Sequence, residues 1–204
     1  DGSGVDATVS GVPAVVFAGQ GGLLDVALDP DFTSGENWVY LAYSEAGAGG
    51  SGTALARGRL VGNALQNVAV IWQQSPKAAG EVHYGARIAF RADKTLYLAA
   101  GERGLEANNG SARADGVQNA SNTIGKVVRM NRNGSSASVF STGHRNPQGA
   151  TVVPGTNNLW ITEHGPQGGD ELNRVTEGAN YGWPVKSYGC NYGAPEGAAC
   201  RISA

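Results

Sequence analysis

The chain has 204 residues and a formal net charge of −2 at neutral pH, with 15 Lys and Arg against 17 Asp and Glu. This length supports a domain with its own apolar core, and the near balance of charge argues against a nucleic-acid-binding face or a polybasic membrane patch. The sequence contains no run of about 18 apolar residues that could span a bilayer, and its first residues do not have the pattern of an export signal.

Glycine is the most distinctive component, at 32 of 204 residues. The glycines separate short runs rich in Val, Ile, Leu, Tyr and Trp, and helix signals are nearly absent. Because glycine supports tight turns and such runs are typical of strands, the composition predicts an all-β protein.

Strand candidates recur in a fixed order along the chain. Three pairs of predicted strands, each joined by a turn, lie at 23–28 and 38–43, at 87–90 and 95–100, and at 150–153 and 158–162. Two further candidates follow each pair, at 54–60 and 68–73, at 126–131 and 137–141, and at 171–175 and 181–185. The turns carry Asp31, Asp93 and Gly155, which are spaced by 62 residues and again by 62.

A repeat of this length with four strands predicts a β-propeller, a radial array of four-stranded blades. We expect about three blades, at about 20–75, 83–142 and 145–186, and a loop-rich tail at 187–204. The whole of 1–204 is interpreted as one propeller domain that is an incomplete stretch of a longer one.

Three polar residues share one phase of this repeat. Gln20, His83 and Asn146 are spaced by 63 residues and again by 63, and each lies just before the first strand of its unit. Since the first strand of a propeller blade lines the central channel, we expect these side chains to converge at one mouth. A lone histidine is often structural, but the shared phase favours a functional site.

Residues 143–149 (GHRNPQG) contain a second group of candidates. Arg145 lies in a turn that leads into an inner strand, where it can reach a bound anion or carbonyl; a surface ion pair is the alternative. His144 and His164 adjoin glycine-containing turns and are interpreted as hydrogen-bonding backbone groups. A zinc site built from His83, His144 and His164 lacks the short ligand spacing that zinc sites usually show.

The glycine-rich loop at 165–171 (GPQGGDE) has a different character. Freed backbone carbonyls and the carboxylates of Asp170 and Glu171 suit calcium, which takes many oxygen ligands. A solvated acidic turn is the alternative interpretation.

The two cysteines, Cys190 and Cys200, lie in a Gly/Ala/Pro-rich loop without metal-site spacing. Such a pair predicts a disulfide and favours an oxidising compartment, so we expect a periplasmic or secreted protein. Two unpaired thiols are the alternative.

Four motifs resemble the soluble aldose sugar dehydrogenases that use pyrroloquinoline quinone (PQQ), the soluble glucose dehydrogenase family. They are residues 19–32 (GQGGLLDVALDPDF), 143–149 (GHRNPQG), 163–173 (EHGPQGGDELN) and 180–184 (NYGWP). The motifs are long, ordered and distributed over nearly the whole chain.

The resemblance implies a six-bladed propeller that carries PQQ at one mouth of its channel. It implies that His83 is the general base for the anomeric hydroxyl of the sugar, and that Gln20 lies beside the sugar. Arg145 and Asn146 match residues that hold the quinone and polarise the carbonyl that receives hydride. The backbone carbonyls of Gly165 and Pro166 match the ligands of a calcium ion that binds PQQ.

Glu171 and Tyr181 match the ligands of a second, structural calcium ion. The implied chemistry is coherent, because hydride leaves a carbon readily only when its hydroxyl proton is removed, and histidine is a suitable base. The sequence departs from the family at Val82, where the glucose dehydrogenase branch has an acidic residue that helps to hold the sugar. Glucose specificity is therefore in doubt.

The sequence leaves three classes of function open. The first is a PQQ- and calcium-dependent enzyme that oxidises aldoses to lactones and passes electrons to an external acceptor. The second is a non-catalytic propeller fragment or interaction module, and the third is a metal-dependent propeller lactonase. Because three blades cannot close a ring, faces carrying residues such as Val26, Ile88 and Val152 predict open apolar surfaces and possible self-association.

Overall fold

A computed structural model describes residues 8–106 and 116–195. This part of the chain is almost entirely β-structure, with one short 3-10 helix at Phe32–Ser34. Its strands are β1 (Leu23–Leu28), β2 (Trp38–Gly47), β3 (Gly50–Val61), β4 (Ala64–Gln73), β5 (Gly85–Phe90), β6 (Leu96–Ala100), β7 (Lys126–Met130), β8 (Ser138–Thr142), β9 (Pro147–Val152), β10 (Leu159–Glu163) and β11 (Glu171–Val175).

The strands form three antiparallel sheets that are blades of a β-propeller, as predicted. Blade 1 has the order β1-β2-β3-β4, blade 2 has the order β5-β6-β7-β8, and blade 3 has the order β9-β10-β11. Each blade therefore follows the chain from its first strand outwards.

One predicted strand is wrong. Residues 181–185 do not form the fourth strand of blade 3, and residues 183–185 are a turn instead. Gly182 has a φ of 96°, outside the strand region, and Pro184 has no backbone N–H to donate to a neighbouring strand. The chain returns to blade 2 just before this turn, where Asn180 forms an isolated parallel bridge with Thr142.

The first strands of the three blades lie side by side, which fixes the radial arrangement. The Asp25 carboxylate on β1 accepts the N–H of Ile88 on β5 at 2.8 Å. The Arg87 guanidinium donates to the carbonyl of Leu24 on β1 and, at 2.7 Å, to the carbonyl of Gln148 on β9. A single side chain on blade 2 thus contacts both neighbouring blades.

The apolar core lies between the blades. Blades 1 and 2 enclose a cluster of buried side chains made up of Tyr40, Ala42, Leu55, Ala86, Ile88, Leu96, Leu98, Val128 and Met130. Blades 2 and 3 enclose a second cluster made up of Ala89, Tyr97, Ala99, Val127, Phe140, Leu159, Ile161 and Val175. Because each cluster takes residues from two blades, the blades stabilise one another.

The outermost blades keep apolar side chains at the surface. Val26 of blade 1 is 62% exposed and Leu172 of blade 3 is 66% exposed. Ile88 is buried between blades 1 and 2, and Val152 packs against the core between blades 2 and 3. In the part of the chain that the structure describes, no helix is long and apolar enough to cross a membrane.

Candidate functional site

The residues just before the first strand of each blade form what we call the entrance segments, at 19–22, 82–84 and 143–146. A side chain from the second strand of the same blade, or from just beyond it, closes each of them. In blade 1, the Ser44 hydroxyl accepts the N–H of Gly22 at 2.7 Å. In blade 2, the Glu102 carboxylate is hydrogen-bonded to Nδ1 of His83. In blade 3, the Glu163 carboxylate is hydrogen-bonded to Nδ1 of His144. Each entrance is therefore closed by a polar side chain, which is neutral in blade 1 and acidic in blades 2 and 3.

His83 lies in the entrance segment of blade 2, and its backbone is left-handed, with a φ of 54°. Its N–H donates to the side-chain oxygen Oε1 of Gln20 in the entrance segment of blade 1 at 2.8 Å. Its ring Nδ1 is hydrogen-bonded to Oε1 of Glu102. Backbone and ring are thus both fixed by side chains from outside the segment.

Glu102 is fully buried and has three donors. Besides His83, the N–H of Gly104 donates to Oε1 at 3.1 Å and the N–H of Glu106 donates to Oε2 at 2.8 Å. A carboxylate held in this way accepts a proton-bearing Nδ1, so the lone pair of neutral His83 lies on Nε2. Within residues 8–106 and 116–195, Nε2 of His83 has no hydrogen-bond partner.

The three residues of the shared repeat phase are brought to one mouth of the array. Asn146 bonds the N–H of Gly85 through Oδ1 at 3.2 Å, just as Gln20 bonds the N–H of His83. The side-chain amides of Gln20 and Asn146 therefore link neighbouring blades, so both residues have a structural role in addition to any role in binding. Gln20 is exposed, and its amide nitrogen has no hydrogen-bond partner among the described residues.

Arg145 is 2% exposed and lies beside this group. Its Nη1 donates to the carbonyls of His164 and Gly165 at 3.2 and 2.9 Å, and its Nη2 donates to the Tyr192 hydroxyl at 3.0 Å. The guanidinium carbon lies 5.1 Å from the ring centroid of Trp183 and 5.7 Å from that of Tyr192. The predicted alternative, a surface ion pair, is therefore wrong.

One donor of Arg145 remains without a partner. Its Nε is buried and has no hydrogen-bond partner within the described residues. A buried donor is normally satisfied, because leaving it unpaired costs about 1–3 kcal/mol. Together with the positive charge, this orphan donor suits an anionic or carbonyl-bearing ligand.

His144 is fully buried and bonds side chains, not the backbone groups that the sequence predicted. Its Nδ1 bonds Oε2 of Glu163 at 2.9 Å and its Nε2 bonds the Ser141 hydroxyl at 2.8 Å. The ring stacks on Tyr181 with centroids 4.8 Å apart. With both nitrogens engaged, His144 has a structural role: it holds Glu163, which also accepts the N–H of Arg145.

The acidic loop at 165–171 closes on itself. The Asp170 carboxylate accepts the N–H of Gly165 at 3.1 Å and contacts Nδ1 of His164 at 3.2 Å. The Nε2 of His164 lies 3.1 Å from the Gln148 side chain, so this exposed histidine also bonds side chains. The carbonyl of Gly165 accepts Arg145, which places a cation at one of the predicted calcium ligands.

Glu171 opens β11 directly opposite Glu163 on β10. A cavity of about 280 Å³ is lined by both carboxylates, together with Thr162, His164, Asp170 and Leu172. Burial raises the pKa of Glu171, and the neighbouring charge of Glu163 raises it further. A buried carboxylate with a second carboxylate beside it is stabilised by binding a proton or a cation.

The hydroxyl of Tyr181, the other predicted ligand of the second calcium ion, already forms two hydrogen bonds. It donates to the carbonyl of Arg174 at 2.6 Å and accepts the N–H of Thr176 at 2.9 Å. Any metal bond from this residue therefore has to come from its backbone carbonyl.

The zinc hypothesis finds no support, because the three histidines have separate partners. Within the described ranges, no three His, Cys, Asp or Glu side chains form a group that could hold a metal ion. Cys200 lies outside the described residues, so its disulfide with Cys190 stays a prediction.

The fold and the sequence together define the class of protein. A family model described as "Glucose / Sorbosone dehydrogenase" matches residues 1–201, and the chain belongs to this family. Aldose sugar dehydrogenase YliI of Escherichia coli (strain K12) is 40% identical over 94% of the chain and 53% of its own length.

Two solved structures show the same likeness. The soluble aldose sugar dehydrogenase of Escherichia coli in its apo form aligns with a TM-score of 0.82 and 38% identity, over 94% of this chain and 57% of its own. The PQQ-bound form of the aldose sugar dehydrogenase of Streptomyces coelicolor aligns with a TM-score of 0.70 and 30% identity, over 96% and 57%. The chain thus spans about half the length of the relatives it matches.

Sequence reasoning missed several residues of this site. Glu102 and Glu163 follow their histidines by the same 19 residues, a signal that was present in the sequence. Trp183 and Tyr192 beside Arg145 carry no pattern of their own, because their approach depends on the turns at 183–185 and 187–195.

Proposed function

We propose that the chain carries the catalytic base and part of the cofactor site of a PQQ-dependent dehydrogenase that oxidises the anomeric carbon of aldoses to lactones. Its membership of the sugar dehydrogenase family and its similarity to a PQQ-bound enzyme support the proposal. The observation that carries it is the His83–Glu102 pair: Nε2 of His83 has no partner among the described residues, and the N–H of Glu102 bonds the carbonyl of Arg145.

His83 acts as the general base at Nε2. As a proton passes from the anomeric hydroxyl to Nε2, the ring becomes an imidazolium ion and its Nδ1–H remains bonded to the Glu102 carboxylate. The buried charge of Glu102 stabilises that imidazolium and fixes the ring in the correct tautomer. Gln20, exposed beside His83, offers its amide nitrogen to a sugar hydroxyl.

The residues present suit PQQ, an anionic quinone. Arg145 combines a positive charge, an unpartnered buried Nε and two flanking aromatic rings, and Asn146 lies next to it. When bound, PQQ supplies the acceptor for the hydride. Arg145 then binds the cofactor and stabilises the negative charge that develops on it.

The carbonyls of Gly165 and Pro166 suit a calcium ion next to the cofactor, since calcium prefers oxygen ligands. The carbonyl of Gly165 has a second lone pair besides the one that accepts Arg145. For a second calcium ion, Glu171 offers a carboxylate whose raised pKa a cation would lower.

The physiological setting follows from the same proposal. An aldose is the substrate, and an external acceptor removes the electrons. Val82, next to the base, supplies no carboxylate for the sugar, so we propose aldoses as a class and not glucose in particular. We also propose a periplasmic or secreted location, and self-association through the exposed faces of blades 1 and 3 in this 204-residue form.

The test is a pair of histidine variants. His83→Gln should retain PQQ binding, measured by absorbance titration with calcium present, and lose sugar oxidation by about a hundredfold or more. His164→Gln is the matched control, because its exposed ring contacts only Asp170 and Gln148. An equal loss in both variants, or full turnover in His83→Gln, overturns the proposal.

A further inference from the structure

Arg103 is a fully buried arginine that the mechanism above does not use. Its charge is far from water, and burial lowers the pKa of its guanidinium. An arginine in such a place is normally held by several acceptors, so its partners indicate what it organises.

Its guanidinium binds the backbone on the N-terminal side of His83. Nη2 donates to the carbonyl of Gly80 and Nη1 donates to the carbonyl of Val82. The planar fork of the guanidinium therefore bridges two carbonyls of one short loop, which a lysine ammonium cannot do with the same geometry.

The same residue binds His83 and the residue after it. The backbone N–H of Arg103 donates to the carbonyl of His83 at 3.0 Å. The guanidinium carbon lies 3.3 Å from the ring centroid of Tyr84, a close cation–π contact. Arg103 thus contacts residues on both sides of His83 as well as His83 itself.

A second anchor ties this assembly to blade 1. Nη2 of Arg103 donates to the Ser51 hydroxyl at 3.1 Å, and that hydroxyl lies 2.7 Å from the Tyr84 hydroxyl. Ser51 belongs to β3, so the loop that carries His83 is fixed against the neighbouring blade.

The need for such an anchor follows from the backbone of His83. Its φ of 54° is in the left-handed region, which residues other than glycine adopt rarely. Conformations of this kind persist only when the surroundings fix them. Ring Nδ1 can meet Glu102 only while this conformation is kept.

We propose that Arg103 is a positioning residue that holds the left-handed backbone of His83 and thereby keeps Nδ1 on Glu102. Arg103 acts through His83 and contacts neither sugar nor quinone. The proposal rests on the proposed role of His83 as base, but its structural part does not depend on any activity.

The chain offers an internal reference for the test. His144 bonds Glu163 in blade 3 as His83 bonds Glu102 in blade 2, and among the described residues Arg103 contacts His83 and its loop but neither His144 nor Glu163. The chain has three histidines, so their ring resonances can be assigned by NMR from single substitutions.

The experiment compares the 204-residue chain with Arg103→Met and Arg103→Lys, without added PQQ. We expect Nδ1–H of His83 to exchange with solvent roughly tenfold faster or more in Arg103→Met, whereas Nδ1–H of His144 is unchanged. Arg103→Lys, which keeps the charge but not the fork, should fall between. If Arg103→Met fails to fold, Ser51→Ala removes one acceptor and should accelerate the exchange at His83 alone.

Unchanged exchange at His83 in folded Arg103→Met, or equal acceleration at both histidines, overturns the proposal. In the PQQ-loaded protein, Arg103→Met should lower kcat about tenfold with little change in KM, since the base and not the sugar contacts is displaced. A proton-exchange effect without sugar oxidation in the parent chain would contradict only the proposed function.

Discussion

The backbone N–H of Glu102 donates to the carbonyl of Arg145 at 2.9 Å. This hydrogen bond joins blade 2 to blade 3 and places the partner of the proposed base next to the proposed cofactor residue. Both residues are buried, so their relative position is fixed by the fold. Glu102 and Arg145 are therefore parts of one junction between blades 2 and 3.

The carboxylate of Glu102 can be tested by Glu102→Gln. The amide nitrogen cannot accept from a backbone N–H, and the neutral side chain stabilises an imidazolium less than a carboxylate does. We expect kcat to fall by about tenfold to a thousandfold, with PQQ binding retained. The pH dependence of kcat/KM and an absorbance titration with PQQ provide the measurements.

Glu163→Gln is the matched control for that change. It alters the acidic partner of a histidine in blade 3, but that histidine has no free nitrogen. Glu163 also accepts the N–H of Arg145, so its replacement should weaken PQQ binding more than it slows turnover. If Glu102→Gln and Glu163→Gln change kcat and PQQ affinity in the same way, the roles assigned to Glu102 and Glu163 are wrong.

Arg145 can be tested by Arg145→Lys. Lysine keeps the positive charge but loses the planar donors and the stacking between Trp183 and Tyr192. We expect the Kd for PQQ to rise by about tenfold or more, measured by titration at fixed calcium concentration. A Kd equal to that of the parent chain would show that charge alone accounts for binding.

Lys126 predicts a specific pH dependence of stability. It is fully buried against the carbonyls of Val117 and Ile124, and burial lowers its pKa to about 8 from an ordinary 10.5. Between these two pH values the unfolded chain binds more protons than the folded chain, so the contribution of Lys126 to the free energy of unfolding rises with pH. The difference amounts to about 3 kcal/mol.

Lys126→Met isolates this effect. Methionine fills a similar volume but does not titrate. Between pH 8 and 10.5 the free energy of unfolding of the parent should therefore rise relative to that of the variant. Denaturant titrations at pH 7.5, 9 and 10 measure it. Parallel pH profiles for the two proteins would contradict the prediction.

Glu171 predicts an effect of calcium on thermal stability. Burial and, to a smaller extent, the charge of Glu163 raise the pKa of Glu171. The contribution of Glu171 to stability is therefore lost as the pH rises from its pKa in the unfolded chain to its pKa in the folded chain. Glu171→Gln should therefore have a higher Tm than the parent chain at neutral pH without calcium. Added calcium should raise the Tm of the parent by more than it raises that of the variant, which keeps the carbonyls of Gly165 and Pro166.

Thermal melts in chelator and in millimolar calcium check this prediction. Glu177→Gln is the control, since Glu177 is exposed and forms a salt bridge with Arg129. Equal calcium shifts in the parent and in Glu171→Gln would remove Glu171 from the metal site.

The sequence predicted the repeat well, because strand composition and turn residues are local properties. It also predicted that Gln20, His83 and Asn146 meet, since a fixed phase in a radial repeat places residues at one mouth. It failed at residues 181–185, where the aromatic residues suggest a strand but Gly182 and Pro184 prevent one. The partners of Arg103 and Arg145 come from distant turns, whose approach no local pattern specifies.

The closure of each entrance segment by the second strand has a consequence for protein engineering. Ser44, Glu102 and Glu163 close the entrances with side chains of different length and charge, and the first two strands of each blade show a register shift close to the entrance. A single residue in each blade therefore determines whether its entrance segment is closed by a neutral or by an anionic side chain.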